Sequence, residues 1–378
     1  MNKNIGIYVH IPFCESKCDY CNFVSFRQSN EVKEKYADYL LKEIILSKDK
    51  YKDYTVDTIF IGGGTPSCLR EKSIKNILNC IINNFNVNLD AEISIEANPN
   101  SLTIHKLREF KLAGVNRLSV GLQAYNNKLL KSIGRIHTIN QFDQAIKNAK
   151  SVGFENINAD ILLGLPHQKM FDIVKELKHL INLKITHISA YGLIVEENTK
   201  LFDKLEKGEI SLPNEQKSLK FYQKTLKFLK KHKFNRYEVS NFCKKSYECK
   251  HNLKYWNNQF YIGFGLASHS FFENTRWENC LNLTDYFDYL DKNELPNINV
   301  TSQSLDDLRT TYIMTALRKS DGIDLNYYKD NFNQDLLIDK DKEIKNLIKL
   351  DLIKLSENNL FATDSGFEVL NQIILQLI

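Results

Sequence analysis

His10-Ile11-Pro12-Phe13-Cys14-Glu15-Ser16-Lys17-Cys18-Asp19-Tyr20-Cys21-Asn22-Phe23 is the stretch on which the reading of this chain turns. Its three cysteines are separated by three and then two residues, a spacing short enough for one tight loop to turn three sulfurs inward. Thiolates fix iron–sulfur clusters, ordinarily with four of them. Three donors fill three corners of a four-iron cluster and leave the fourth iron open to another ligand. The same logic separates catalytic from structural zinc. The bland alternatives are buried structural thiols, or zinc with His10 or Cys68 as fourth ligand. Cys68, Cys80, Cys243, Cys249 and Cys280 show no comparable spacing and read as small buried hydrophobes.

Outward from this loop, short apolar runs alternate with helical patterns. Candidate strands are Gly6–Ile11, Val56–Ile61, Glu92–Ala97, Arg117–Gly121, Asn156–Leu162 and His187–Leu193. Between them, Val32, Tyr36, Leu40, Ile44 and Ile173, Leu177, Leu180 fall at helical spacing. This alternation predicts parallel βαβ units over 1–233. Polar and glycine-rich positions collect just after the strands. In a parallel barrel those C-terminal strand ends open on one face, so distant residues converge there. Gly62-Gly63-Gly64-Thr65-Pro66 follows the second run. Glu96, Gln123 and Asp160 lie at the third, fourth and fifth, and Arg135 sits in Ser132-Ile133-Gly134-Arg135-Ile136-His137.

The next region, 234–300, is rich in aromatics and includes His251-Asn252-Leu253-Lys254-Tyr255-Trp256. The tail, 301–378, reads as a small, mostly helical unit compatible with a winged-helix shape. A hairpin is expected around Glu357-Asn358-Asn359, and a capping box of Ser365 with Glu368 for the last helix.

The cysteine spacing, the preceding Ile7-Tyr8-Val9-His10-Ile11-Pro12-Phe13 and Tyr20 before the third cysteine resemble the signature of radical S-adenosylmethionine (SAM) enzymes. Within that superfamily they resemble the branch of oxygen-independent coproporphyrinogen III oxidases and related heme chaperones. The resemblance implies an α/β fold, a partial (β/α)6 TIM-type barrel, with a 4Fe–4S cluster on Cys14, Cys18 and Cys21. It implies SAM contacts at Tyr8, Tyr20, Asn22, Gly63, Gly64, Thr65, Glu96, Gln123, Arg135 and Asp160. Arg135 would face the SAM carboxylate, a charge-assisted pairing.

The His251 string resembles a heme-chaperone motif, which implies heme contact at His251; the bland reading is a packed, hydrogen-bonded histidine. His269 also matches a family histidine and is taken as structural. The oxidases carry a fourth cysteine where Phe23 stands here, and an extension before the first strand for which Tyr8 and Cys14 leave no room. Those departures favour the heme chaperone, which passes heme to apoproteins such as respiratory enzymes. The oxidase, converting coproporphyrinogen III to protoporphyrinogen IX, is the alternative, and a zinc-stabilised scaffold is remote. An unidentified electron donor, transient membrane association and a homodimer are compatible with the same resemblance.

Composition adds bounds. Across 378 residues, 43% hydrophobic and 26% charged content are those of an ordinary globular chain. A net charge of +5 and an acid-rich tail argue against a nucleic-acid surface. No apolar run is long enough to span a bilayer. The first residues do not read as a secretory signal, and eight scattered cysteines fit a reducing cytoplasm.

Overall fold

The computed structural model describes residues 3–378; Met1 and Asn2, at the head of the expected first unit, lie outside it. Six parallel strands form its centre: β1 (Asn4–Ile11), β2 (Thr55–Gly63), β3 (Asn86–Ala97), β4 (Arg117–Gln123), β5 (Asn156–Leu163) and β6 (His187–Gly192). All six expected strands are present, most of them a residue or more longer than the apolar runs suggested.

The barrel is half open because other strands occupy both edges. Beyond β6, β7 (Asn235–Arg236) and β8 (Asn241–Cys243) add antiparallel to one edge. At the other edge β1 pairs in parallel with β9 (Tyr261–Phe264). The antiparallel strands β10 (His269–Phe272), β11 (Thr275–Asn279) and β12 (Asn297–Ser302) continue from it. The aromatic region therefore flanks the barrel on both sides. Phe242, Phe264, Phe272 and Trp277 join the same core as the six central strands.

Strand alternation sorts residues between two layers. Ile5, Ile7, Val9 and Ile11, then Ile59 and Ile61, then Leu118, Val120 and Leu122 are buried in the apolar core. The helices pack on that layer. Asn30–Ser47, capped by Ser29, buries Tyr36, Leu40 and Ile44, while Met170–Asn182 buries Ile173, Leu177 and Leu180. The alternate residues include Tyr8, Phe60, Glu96, Arg117, Ser119, Asn158, Asp160, Ser189 and Tyr191, which line an interior cavity.

The tail forms its own core around Tyr312, Leu317, Ile344, Leu347 and Ile373. Helices there surround a three-stranded sheet, β13 (Ile323–Asp324), β14 (Ile353–Leu355) and β15 (Asn359–Ala362). The expected hairpin is β14–β15. The expected Ser365–Glu368 capping box is not formed. Thr363 caps the helix Asp364–Glu368 by accepting from the Gly366 N–H, and Ser365 lies inside that helix. The last helix, Leu370–Leu377, begins after Val369 with no side-chain cap.

Candidate functional site

The cysteine loop leaves β1 and folds back over the ends of β1 and β2. The Cys14 N–H donates to the Phe26 carbonyl at 3.1 Å, and the Gly64 and Thr65 N–H groups donate to the Ile11 and Phe13 carbonyls at 2.9 and 2.8 Å. These bonds press the glycine run against the loop. A Cβ on Gly64 would stand 2.7 Å from the Phe13 carbonyl oxygen and 3.0 Å from Cys14 Sγ. On Gly63, whose φ is +112°, it would meet the His10 ring at 2.8 Å. Only glycine permits this approach. His10 is itself pinned: Nε2–H donates to the Val24 carbonyl at 3.2 Å and Nδ1 accepts from Tyr8 Oη at 3.0 Å. Burial lowers its pKa to about 4, so the ring stays neutral.

All eight cysteines are free thiols. Cys14 and Cys18 lie close enough to Cys21 that their charges, after burial and beside a Phe23 backbone bond that opposes it, help raise its pKa. Among the described residues, no three His, Cys, Asp or Glu side chains close around a single ion.

Arg135 organises the rim. Its Nη1 donates to Cys18 Sγ at 3.4 Å, and its Nη2 to Asn98 Oδ1 at 2.6 Å and the Gly121 carbonyl at 2.9 Å. Its Nε donates to His137 Nδ1 at 3.3 Å, and His137 Nε2–H donates to the Leu122 carbonyl. Asn98 Nδ2 donates to Thr65 Oγ1 at 3.1 Å, and Cys14 Sγ lies 3.5 Å from the same hydroxyl. One chain of contacts thus joins β2, β3, β4 and two of the three thiols. Lys204 anchors the loop from another side through Asp19 at 2.6 Å.

Below the rim lies the interior cavity, about 220 Å³ in volume. Glu96 Oε2 accepts the Gly63 N–H at 3.2 Å. Burial, reinforced by the Asp160 charge, raises Glu96 to about 8. Burial also raises Asp160, against hydrogen bonds from Asn158, Ser189 and Ser119 that favour its charged form. Buried carboxylates suit a ligand that brings hydroxyls or a cation. Gln123 ends β4 with φ +66°, its amide beside Gly121 and Arg135. Tyr20 packs against the small cluster around Leu129, Leu130 and Leu165. Asn22 is exposed in the loop, and Phe23 is 69% exposed. The donors and the cradle therefore fit a cluster with SAM.

His251 is fully buried in the helix Lys250–Trp256. Its Nδ1 bonds Thr58 Oγ1 at 2.8 Å, its Nε2 bonds Tyr255 Oη at 2.9 Å, and the ring stacks on Phe60. Both nitrogens are engaged, so the geometry is that of a packed histidine and no lone pair faces outward. His269 is exposed, its Nε2 3.4 Å from Glu278 Oε2.

Several contributors escaped the sequence reading. Asn98 bridges Thr65 to Arg135. Glu92, on β3, accepts the Lys250 and His251 N–H groups at 3.0 and 3.2 Å and so caps the helix that carries His251. Arg117, buried, lines the cavity with Tyr191, Asn252 and Tyr255. Polar residues at every second position of Arg117-Leu118-Ser119-Val120-Gly121 were the available signal.

The Radical SAM superfamily model matches residues 8–180 and the HemN C-terminal domain model residues 303–369. The chain is 33% identical to the heme chaperone HemW of Bacillus subtilis over 360 residues, 95% of each chain. It is 31% identical to the heme chaperone HemW of Lactococcus lactis over 99% of this chain and 97% of that one. In structure it resembles the coproporphyrinogen III oxidase HemN of Escherichia coli, with a TM-score of 0.87 and 22% identity over 99% of this chain and 90% of that one. That likeness bears on the fold alone.

Proposed function

The chain belongs to the HemW family of radical SAM proteins, and from that premise we propose that it is a heme chaperone, binding heme and passing it to apoproteins such as respiratory enzymes. The observation that carries this reading is similarity to HemW proteins along nearly the whole chain. The exposed Phe23, at the position of the oxidases' fourth cysteine, supports it. Among the described residues no helix is long and apolar enough to cross a membrane; the cytoplasm is the compartment we assign.

Cys14, Cys18 and Cys21 would hold a 4Fe–4S cluster, and the Gly62–Gly64 backbone, Thr65, Glu96, Gln123, Arg135 and Asp160 would hold SAM. Bound together and reduced, the two cofactors supply one-electron cleavage of a sulfonium carbon–sulfur bond. Within the chain, Arg135 places positive charge at Cys18 Sγ and offers donors at the rim. Neutral His10 props the glycine run without adding charge. Glu96, with a pKa of about 8, holds a proton at neutral pH that a cationic or hydroxyl-bearing ligand would drive off.

Anaerobic reconstitution should load about four irons per chain, and the heme-loaded protein should activate an apo-hemoprotein. Robust conversion of coproporphyrinogen III to protoporphyrinogen with SAM and a reductant would replace this reading with the oxidase.

A further inference from the structure

A second cleft, about 660 Å³ in volume, lies where the barrel's β7–β8 edge meets the C-terminal unit. It shares no lining residue with the interior cavity. Its size is that of a small-molecule site. We propose that this cleft is where the protein holds heme, gripping the flat macrocycle and its two propionates rather than the iron. The inference rests on the heme-chaperone reading above and names the site that reading leaves open.

The cleft has an apolar floor between cationic walls. Phe234 and Phe242, both buried, underlie it from the barrel side, and Phe361 and buried Phe367 from the tail. These rings give the floor its apolar character. Lys227 and Lys230 stand one turn apart on the exposed side of the helix Glu215–Lys231, and Lys354 stands on β14 across from them. Ammonium groups on two walls match carboxylates at one edge of an apolar disc. Four cationic side chains line the cleft, counting Arg236, against Asp364 and Glu368. Both acids are already occupied: Asp364 accepts from Arg236 at 2.7 Å and Glu368 from Gln223 at 2.8 Å.

Arg236 adds an independent pointer. Its side chain is only 10% exposed and its guanidinium lies 3.7 Å above the Phe367 ring, yet its Nε has no acceptor. Asp364, its partner, is mostly exposed, so the pair yields readily to a stronger anion.

Among the described residues no His, Cys, Met or Tyr lines the cleft, so they offer no customary axial ligand to iron. His251, with both nitrogens engaged, offers none from the interior. A carrier that leaves the metal unligated keeps it available to the receiving protein.

The test is absorbance titration of the full chain with hemin and, separately, with iron-free protoporphyrin IX. Wild type should bind both with affinities within roughly threefold, because ring and propionates carry the contact. Lys227→Glu with Lys230→Glu, both surface changes, should weaken both by roughly tenfold or more. Lys217→Glu with Lys220→Glu, on the same helix but outside the cleft, should leave both unchanged. The site is overturned if the cleft variant binds hemin like wild type, or if both double variants weaken it equally. It is also overturned if protoporphyrin fails to bind where hemin does, or if dodecanoate displaces hemin as well as protoporphyrin does. Failure of wild type to bind hemin at all would instead remove the chaperone reading itself.

Discussion

Replacing Glu92 by Ala should loosen the helix Lys250–Trp256 far more than a change at an interior strand residue would suggest. The carboxylate accepts the Lys250 and His251 N–H groups at 3.0 and 3.2 Å, and the Cys249 thiol lies 3.5 Å away. These N–H groups head a helix that no side chain from its own N-cap residue caps. Hydrogen bonds to a charged group contribute about 1.5–3 kcal/mol each. Removal also takes a negative neighbour from buried Arg117. Two such bonds set the expected local loss at about 3–5 kcal/mol, within their summed range. Hydrogen exchange reads it directly: amides of 250–256 should lose protection by roughly a hundredfold to a few thousandfold, at about 1.4 kcal/mol per decade. The tail core around Leu347 and Ile373 should keep its protection. Glu92→Gln, retaining one acceptor oxygen without the charge, should fall between. Protection of 250–256 within about threefold of wild type in Glu92→Ala would refute the capping argument.

Gly64→Ala should fold but assemble the cluster poorly, because the new methyl meets the Phe13 carbonyl and Cys14 Sγ; iron per chain after reconstitution should drop by more than half while far-ultraviolet circular dichroism is retained. Arg135→Lys keeps charge but loses the fork that spans Asn98, Gly121 and Cys18, so SAM affinity of the reconstituted protein should fall roughly tenfold or more by calorimetry. Glu43 is buried and accepts from Gly265 N–H, Asn279 Nδ2 and Tyr286 Oη, and burial raises it to about 7. Its contribution to stability is complete below its unfolded value near 4.5 and is lost as pH rises through about 7. The stability of wild type relative to Glu43→Gln should therefore fall by up to about 3 kcal/mol between pH 5 and pH 8.5 in urea unfolding; a difference constant with pH would contradict the assignment.

Much of this molecule was legible in order along the chain. Cysteine spacing, the glycine run and the alternation of strand and helix patterns are local properties, and Ile5, Ile7, Val9 and Ile11 record strand period directly. Glu96 and Asp160 could be singled out because a parallel barrel opens its strand ends on one face, and both line the interior cavity. Asn98 and Glu92 were not found, since each acts on a partner remote in sequence, Arg135 in one case and Lys250 in the other. The Ser365 cap was misread because Ser and Thr are both adequate caps, and it is Thr363 that opens the helix in which Gly366 and Phe367 are buried.

By itself the sequence determined which residues could ligate a cluster and which strands could carry them, because backbone period and donor chemistry are written residue by residue. The tertiary structure alone decided that His251 spends both nitrogens inside the core, and that the helix Glu215–Lys231 and the tail hairpin enclose a cationic cleft. Hydrogen-bond partners and cavities are relations between segments, set by how the layers pack, and no local pattern encodes them.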